Sequence, residues 1–204
     1  MSNYERKDAT YRAAKKAGLR SRAGIKLEDL DARFHLFSAG QTVVDLGCWP
    51  GAWLQVASRK VGAGGLVAGV DLVGVSGLDS DNVTIIVGDA ADPQVRASLH
   101  EATGGRADVV LSDMAPKLTG VRATDEAREE QLVTIALEIA RELLVPQGRL
   151  LVKLFSRVEA SMTKLLRREF STVTPFRPGS TRKGSSEIYV LASGRRDAQP
   201  PALA

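Results

Sequence analysis

Apolar and polar residues follow two different periodicities along this chain. Short runs rich in β-branched residues, such as TVVDL at 42–46, end at a glycine or a polar residue and predict buried strands. Longer segments, such as 125–144, place apolar residues on one helical stripe and stop near Pro146. The predicted strands are 42–46, 66–72, 83–87, 109–112, 149–155, 171–176 and 188–192, and the predicted helices are 25–37, 52–61, 93–102, 125–144 and 158–169.

The order of these elements predicts the fold class. Strands separated by helices pair in parallel and carry helices on both faces of their sheet. The last two predicted strands are separated only by a loop, which favours an antiparallel hairpin at one edge. We therefore expect an α/β sandwich of three layers, with a mostly parallel seven-stranded sheet that ends in an antiparallel edge hairpin.

Length and composition fit one globular domain, since the chain has 204 residues, 44% of them hydrophobic and 25% charged. We place this domain at 21–194, between a basic, flexible N-terminal extension at 1–20 and a disordered tail at 195–204. No apolar run reaches the roughly 18 residues of a membrane span, and the polar N-terminus lacks the apolar core of a secretory signal. The single cysteine, Cys48, excludes an internal disulfide and a multi-cysteine metal site. We expect a cytoplasmic monomer that needs no metal and contacts no membrane.

The net charge of +4 is unevenly distributed. Residues 1–26 contain eight lysines and arginines but only two acidic residues, and a second basic stretch covers 164–183. Lysine and arginine neutralise phosphates and release counterions, so two basic segments around a neutral middle favour a polyanion partner. A solvated basic surface without a partner is the alternative.

Acidic residues and glycines mark the ends of the first three predicted strands. Ligands of open α/β sheets bind beyond the carboxyl ends of the strands, where Asp45, Asp71 and Asp89 are expected. Gly47 and Gly51 let the backbone turn sharply before a helix, whose free N–H groups can face a ligand. Asp71 would accept the hydroxyls of a ribose, and Asp89 would accept the amino group of adenine. This pattern predicts a cofactor site built for adenosine.

The spacing of the glycines argues against two other nucleotide sites. The G-x-G-x-x-G fingerprint of a nicotinamide dinucleotide site is missing, because no middle glycine lies between Gly47 and Gly51, and the chain has no P-loop motif. Trp53 directly follows the glycine turn, so we interpret it as a cofactor contact. A place in the hydrophobic core is the alternative for this side chain.

Five motifs occur in an order that is typical of a known family. They are Ser21-Arg22-Ala23-Gly24-Ile25-Lys26-Leu27, Val44-Asp45-Leu46-Gly47 with Pro50-Gly51-Ala52-Trp53, Ser112-Asp113-Met114-Ala115-Pro116, Val152-Lys153 and Ser186-Glu187-Ile188-Tyr189. Over about residues 20–194 the chain closely resembles the FtsJ/RlmE family of ribosomal RNA 2′-O-ribose methyltransferases. The resemblance implies a class I methyltransferase (Rossmann-like) fold, S-adenosylmethionine as methyl donor, and a uridine of large-subunit (23S) ribosomal RNA as target.

The resemblance also implies which residues form the site. The family's Lys-Asp-Lys-Glu catalytic tetrad falls on Lys26, Asp113, Lys153 and Glu187. Its cofactor contacts fall on Gly51, Trp53, Asp71, Asp89 and Asp113. Asp45 and Gly47 join this set from the pattern at the strand ends. Ribosomal RNA or the large ribosomal subunit would contact the basic residues of 1–26 and 164–183.

The reaction explains why such a site needs two lysines. A ribose 2′-hydroxyl must lose its proton as it attacks a methyl group, and a lysine takes that proton only when its pKa falls from about 10.4 toward neutrality. Lys153 is the candidate base because its neighbours at 150–152, 154 and 155 are apolar. Lys26 would supply a second positive charge that stabilises the developing alkoxide. Asp113 and Glu187 would orient the two lysines, although each also favours the ammonium form.

The glycine turn departs from the family pattern. Cys48 and Trp49 stand where small residues are usual, and Ala52 stands where a second glycine is usual. Three alternative functions therefore stay open: methylation of transfer RNA or an mRNA cap, a non-catalytic RNA-binding or ribosome-assembly role on the same fold, and a nicotinamide oxidoreductase. The missing dinucleotide fingerprint disfavours the last of these.

Overall fold

A computed structural model describes residues 9–78, 80–181 and 184–196. Helices and strands alternate through most of these residues. The helices are α1 (Ala9–Lys16), α2 (Ala23–Phe34), α3 (Ala52–Val61), α4 (Pro93–Thr103), α5 (Arg122–Leu143) and α6 (Glu159–Glu169). The strands are β1 (Thr42–Leu46), β2 (Leu66–Asp71), β3 (Val83–Val87), β4 (Ala107–Ser112), β5 (Leu144–Phe155), β6 (Phe170–Phe176) and β7 (Glu187–Arg195). No helix in this part of the chain is long and apolar enough to cross a membrane.

The seven strands form one sheet in the order β3-β2-β1-β4-β5-β7-β6. Helices connect β1 to β2 and β4 to β5, and a loop connects β2 to β3. The strands from β3 to β5 pair in parallel, whereas β7 pairs antiparallel with both β5 and β6. The last strand of the chain is therefore inserted between β5 and β6. The predicted α/β fold with an antiparallel pair at one edge is confirmed.

Many element boundaries differ from the sequence prediction by one to three residues, and two differences are larger. β5 begins at Leu144 rather than at 149, because Leu144 already pairs with Ala107 before a register shift in the β4–β5 ladder. Helix α1 was not predicted, and it lies inside the expected N-terminal extension. Its Ala14 is buried in the same core as α2 and α3. Residues 1–8 and 197–204 of the predicted extension and tail lie outside the described residues, and the proposed domain limits stay a prediction.

Side chains along each strand alternate between two hydrophobic cores, as the two-residue period of a strand requires. Leu150, Val152 and Leu154 of β5 belong to the core formed with α4, α5 and α6, which we call the α4–α6 face. Leu151 belongs to the core formed with α1, α2 and α3, which we call the α1–α3 face. The same alternation places the residue at position 153 on the α1–α3 face, just beyond Leu151.

Candidate active site

The antiparallel pairing of β5 and β7 brings three polar side chains to one face of the sheet. Lys153 pairs directly with Tyr189, and Phe155 pairs with Glu187. Because side chains two residues apart lie on the same face of a strand, Lys153, Tyr189 and Glu187 all face α2. Two strands that are distant in sequence thus place these side chains together at the carboxyl end of β5.

Lys153 is almost fully buried and is paired with Asp113, the residue that follows β4. The Nζ atom of Lys153 lies 3.0 Å from the Oδ1 atom of Asp113 and donates a hydrogen bond of 2.5 Å to its main-chain oxygen. The N–H of Asp113 donates to the carbonyl of Leu46, which fixes the turn after β4 against β1. The side chain of Lys153 is only 7% exposed. A lysine in an apolar strand needs a partner, and Asp113 supplies it.

Lys26 and Glu187 form a second ion pair beside the first. Helix α2 carries Lys26, whose Nζ atom lies 2.6 Å from the Oε2 atom of Glu187, and the two side chains are 12% and 24% exposed. Burial raises the pKa of Glu187, but the hydrogen bond and charge of Lys26, aided by Lys153, outweigh burial and hold that pKa below its ordinary value. All four predicted tetrad residues therefore converge in one cluster.

Tyr189 connects the two ion pairs, and sequence reasoning did not assign it a role. Its hydroxyl donates a 3.0 Å hydrogen bond to Oδ1 of Asp113, and its ring centroid lies 5.9 Å from Nζ of Lys26. Burial and the nearby carboxylates of Asp113 and Glu187 raise the pKa of Tyr189 well above its usual value, so the phenol stays a proton donor. Its position inside the predicted strand 188–192, two residues after Glu187, was the available signal.

Trp53 packs against this cluster. Its side chain is buried, its indole N–H donates to the carbonyl of Ala23 at 2.8 Å, and its ring centroid lies 5.9 Å from that of Tyr189. Trp53 thus connects the start of α2, which carries Lys26, to Tyr189 of β7. Its direct contact with a cofactor stays a prediction.

A pocket opens beside the cluster at the carboxyl edge of the sheet. It is lined by the turn after β1, the ends of β2 and β3, the segment after β4, and one residue of α5. The lining residues are Gly47, Val70, Asp71, Leu72, Gly88, Asp89, Ala90, Met114, Ala115 and Leu132. Three residues that the strand-end pattern selected, Gly47, Asp71 and Asp89, therefore meet in one concave surface.

Position 47, which lines this pocket, favours glycine for two reasons, its backbone conformation and its close contact with Met114. Its φ is +79°, and a Cβ atom added there would lie 3.0 Å from the backbone of Met114. Gly51 also has a positive φ, +96°, at the start of α3, but it lies outside this pocket. The two glycines therefore have different uses: one allows close approach across the pocket and the other starts a helix.

Asp71 holds the pocket rim together. Its Oδ2 atom accepts the N–H of Trp49 at 2.9 Å, and its Oδ1 atom accepts the N–H of Val73 at 2.9 Å. Each carboxylate oxygen has a second lone pair, so both can still accept a hydroxyl of a ligand. Asp89 lies across the pocket, and its Oδ1 atom accepts the N–H of Ala91. Two carboxylates facing one cavity suit the hydroxyl and amino groups of an adenosine.

The predicted position of Asp45 after the first strand is wrong. β1 continues through Leu46, so Asp45 lies inside the strand, fully buried on the α1–α3 face. Among the described residues neither of its carboxylate oxygens has a hydrogen-bond partner. Burial, and then the charges of Asp113 and Asp71, raise its pKa well above the ordinary value and favour the neutral acid. A role of Asp45 in cofactor binding stays a prediction.

Glu129 of α5 was missed by sequence reasoning. It is buried, accepts a hydrogen bond from the N–H of Phe155, and pairs with Arg157 at 3.2 Å. Burial raises its pKa despite these partners. Glu129 thereby fixes the end of β5 just beyond Lys153. Its place four residues before Val133, on the buried stripe of the helix, was the signal that could have shown it.

The two basic segments lie on different sides of the sheet. Arg12, Lys15 and Lys16 are exposed on α1, which packs on the same face of the sheet as the cluster around Lys153. The exposed basic residues of α6 lie on the helix that packs on the α4–α6 face; they are Lys164, Arg167 and Arg168. Arg177 follows β6 and bonds to the carbonyl of Ser185, two residues before Glu187. Arg6, Lys7, Arg182 and Lys183, which also belong to the two predicted segments, are not among the described residues.

Comparison with known proteins places this site in a family. The model of the FtsJ-like methyltransferase family matches residues 19–195. A ribosomal RNA large subunit methyltransferase E from Halorubrum lacusprofundi is 44% identical over 190 residues, which cover 92% of this chain and 71% of the relative. The protein of the same name from Methanothermobacter thermautotrophicus is 43% identical over 187 residues, covering 91% of this chain and 89% of the relative.

Solved structures agree with this assignment. A crystal structure from Plasmodium falciparum, described as a ribosomal RNA methyltransferase, superposes with a TM-score of 0.74 at 25% identity and covers 86% of this chain and 98% of that chain. The fibrillarin/Nop5p complex superposes with a TM-score of 0.62 at 16% identity, covering 83% of this chain and 80% of that chain, and shares the fold alone. Because the family model covers most of the chain and the relatives match along most of their own length, this chain belongs to the FtsJ-like methyltransferase family.

Proposed function

We propose that this protein transfers a methyl group from S-adenosylmethionine to a ribose 2′-hydroxyl of large-subunit ribosomal RNA, with a uridine as the target nucleoside. The observation that carries the proposal is the convergence of two lysine–carboxylate pairs beside a pocket lined by Asp71 and Asp89. The name shared by the relatives, ribosomal RNA large subunit methyltransferase E, supports the substrate class.

The pocket residues fit S-adenosylmethionine. Asp71 would accept the ribose hydroxyls and Asp89 the adenine amino group, while Gly47 lets the ligand approach the backbone where any side chain would collide with Met114. When bound, S-adenosylmethionine supplies an electrophilic methyl group. Ala52 is buried in the first turn of α3 and Trp49 is 58% exposed, and neither lines the pocket. The unusual residues of the glycine turn therefore leave room for the cofactor, which weakens the alternative of a non-catalytic factor.

Lys153 is positioned to receive the proton of the 2′-hydroxyl. In its neutral form the amine has two N–H bonds and one lone pair. Its contacts with the main-chain oxygen and Oδ1 of Asp113 can engage both N–H bonds and leave the lone pair for the substrate. After proton transfer the ammonium group remains paired with Asp113. The acceptor oxygen would be stabilised by Lys26, which Glu187 holds in place.

RNA would reach this cluster across the face that carries α1. The exposed Arg12, Lys15 and Lys16 supply positive charge there, and Arg177 adds one beside Glu187. The basic residues of α6 lie beyond the sheet and would contact a more distant part of a large RNA. A folded subunit offers phosphates on several sides of the enzyme and so suits both groups.

The test is a methylation assay with purified protein and labelled S-adenosylmethionine. Large subunits from a strain that lacks the modification are the main substrate, and free ribosomal RNA, transfer RNA and capped mRNA are the alternatives. We expect label in the large-subunit RNA, and mapping should locate it on a uridine 2′-oxygen. The Lys153→Ala variant should bind S-adenosylmethionine but transfer no methyl group. Preferred labelling of transfer RNA or cap would refute the substrate, and equal labelling by Lys153→Ala would refute the assigned base.

A further inference from the structure

Arg20 makes an unusual set of contacts for an exposed arginine near a basic N-terminus. Its Nε atom donates to the carbonyl of Pro50 at 2.6 Å. Its Nη1 atom donates to the carbonyl of Gly77 at 2.7 Å, and its Nη2 atom donates to the carbonyl of Ser76 at 2.5 Å. All three guanidinium nitrogens are thus directed at main-chain oxygens of the protein, an arrangement that only a rigid planar fork can make.

These oxygens belong to two loops that border the candidate cofactor pocket. Pro50 lies in the turn after β1, which begins with Gly47, and Ser76 and Gly77 lie in the loop after β2, which begins with Leu72. Asp71 joins the same two loops from the sheet side, through the N–H groups of Trp49 and Val73. Arg20 and Asp71 therefore each connect the same two loops through hydrogen bonds.

The two loops approach each other closely at Gly51, next to the guanidinium of Arg20. A Cβ atom added to Gly51 would lie 2.7 Å from Cγ1 of Val75 and 3.2 Å from Nε of Arg20. The guanidinium is thus packed into the loop junction as well as bonded to it. Loops are otherwise the most mobile parts of such a fold, so each bond between them limits the shapes that the pocket rim adopts.

The segment around Arg20 is itself anchored to the helix that follows the first loop. The N–H of Arg20 donates to Oε1 of Gln55 at 3.1 Å, and Nε2 of Gln55 donates to the carbonyl of Gly18 at 2.8 Å. Gln55 lies in α3. The chain then continues into α2, which carries Lys26. Arg20 therefore links the start of the catalytic helix to the two loops that form the rim of the pocket.

We infer that Arg20 is a positioning residue for the methyl donor: it holds the two pocket loops in their binding shape and ties them to α2. Its charge alone would place it among the RNA-contacting residues of 1–26, but its donors are committed to the cofactor loops. The inference rests on the proposed function in so far as S-adenosylmethionine occupies this pocket.

Calorimetry with S-adenosylmethionine, and binding of large-subunit RNA at several salt concentrations, test this inference. Arg20→Gln removes the charge and the fork, whereas Arg20→Lys keeps the charge but cannot reach three carbonyls at once. Arg12→Gln is the control for lost charge, because Arg12 is an exposed residue of α1. We expect both Arg20 variants to raise the dissociation constant for S-adenosylmethionine about tenfold or more, as for the loss of charge-assisted hydrogen bonds. Arg12→Gln should leave that constant unchanged and weaken RNA binding.

A split in the kinetic constants separates positioning from general loss of structure. The KM for S-adenosylmethionine should rise in Arg20→Lys while the KM for RNA and the kcat at saturating cofactor stay near those of the wild type. Unchanged cofactor affinity in both Arg20 variants, together with a reduced salt dependence of RNA binding, would show an RNA contact and overturn the inference. A fall in kcat and in melting temperature without a rise in the cofactor KM would also overturn it. A wild-type protein that fails to bind S-adenosylmethionine would instead refute the proposed function.

Discussion

The two faces of the sheet are built from the same strands but serve different purposes. On the α4–α6 face, β5 and β7 present only apolar side chains, namely Leu150, Val152, Leu154, Ile188, Val190 and Ala192. On the α1–α3 face the same strands present Leu151 and Leu191 near the centre and then Lys153, Tyr189 and Glu187 toward the carboxyl end of β5. Neighbouring residues of one strand thus belong to a core on one side and to a candidate active site on the other.

This difference shows how the fold separates stability from chemistry. The apolar face buries side chains without polar compensation, so its residues contribute to folding through area removed from water. The lysines and carboxylates of the candidate active site on the other face are buried in pairs, which offsets the cost of their desolvation but gives little net stability. Substitutions on the α4–α6 face should therefore affect folding, and substitutions at the carboxyl end of the α1–α3 face should affect activity.

The largest effect is expected for Lys153→Met, which removes the candidate base and keeps most of the side-chain volume. We expect kcat to fall by roughly 10²–10⁴-fold, the usual contribution of general base catalysis. The measurement is single-turnover methylation of large subunits with saturating S-adenosylmethionine. Calorimetric binding of the cofactor should remain, since Lys153 does not line the pocket. Methylation at more than half of the wild-type rate would contradict the separation of the two faces.

The neighbouring substitution Leu154→Ala is the matched test on the other face. Leu154 is fully buried among apolar residues, so its truncation should lower the free energy of unfolding by about 2–5 kcal/mol. Urea denaturation followed by circular dichroism measures this change. The kcat per folded molecule should stay near that of the wild type. A stable Leu154→Ala protein with low kcat would show that the apolar face also controls the chemistry.

Tyr189→Phe sharpens the comparison within the catalytic cluster. Phenylalanine keeps the ring that packs on Trp53 but removes the hydroxyl that donates to Asp113. One hydrogen bond to a charged group is worth about 1.5–3 kcal/mol, so we expect a fall in kcat of about tenfold or more. The KM for S-adenosylmethionine should not change. Unaltered kcat would mean that Lys153 and the hydrogen bond to Leu46 fix the position of Asp113 without the hydroxyl of Tyr189.

The smallest effect concerns acid stability. Lys26 holds the pKa of Glu187 below its unfolded value, so this pair contributes stability above the ordinary glutamate pKa, and that contribution is lost as the pH falls through the folded pKa. Unfolding free energies measured from about pH 7 to about pH 2, a range that extends well below the ordinary glutamate pKa, should therefore fall less steeply for Glu187→Gln than for the wild type. Glu28→Gln is the control, because Glu28 pairs with Arg59 at 3.7 Å on the exposed surface, where such pairs contribute little. If the pH dependence of the unfolding free energy is the same in Glu187→Gln and in the wild type, the ion pair with Lys26 does not contribute to stability.

Strand periodicity and the strand-end rule predicted the fold, the buried Lys153 and three pocket residues, because these depend on local rules. The predicted roles of Lys26 and Glu187 came mainly from the family resemblance. Strand periodicity placed Lys153 inside an apolar strand, and the strand-end rule brought Asp71, Asp89 and Gly47 to one edge. Contacts between distant elements could not be predicted in this way. The hydroxyl of Tyr189 reaches Asp113 only because β7 is inserted beside β5, a pairing that no local pattern encodes.

One sequence prediction was wrong because the local pattern allowed an aspartate either inside its strand or just beyond it. Asp45 was expected beyond its strand because the following glycine marked the turn, but it lies inside the strand, whose predicted end at Leu46 is confirmed. The charge of Arg20 suggests an RNA contact, which stays a prediction, and its hydrogen bonds lead to the loops of the pocket. A residue type restricts the possible partners, and three-dimensional packing selects one of them.

The insertion of β7 between β5 and β6 has a consequence for synthesis of the chain. Lys26 lies in the second helix and Glu187 begins the last strand, so the pair joins residues 161 positions apart. A growing chain that has left the ribosome only as far as β6 lacks Tyr189 and Glu187. If these two residues act as proposed, methyl transfer has to wait for the synthesis of β7, the last strand of the described residues.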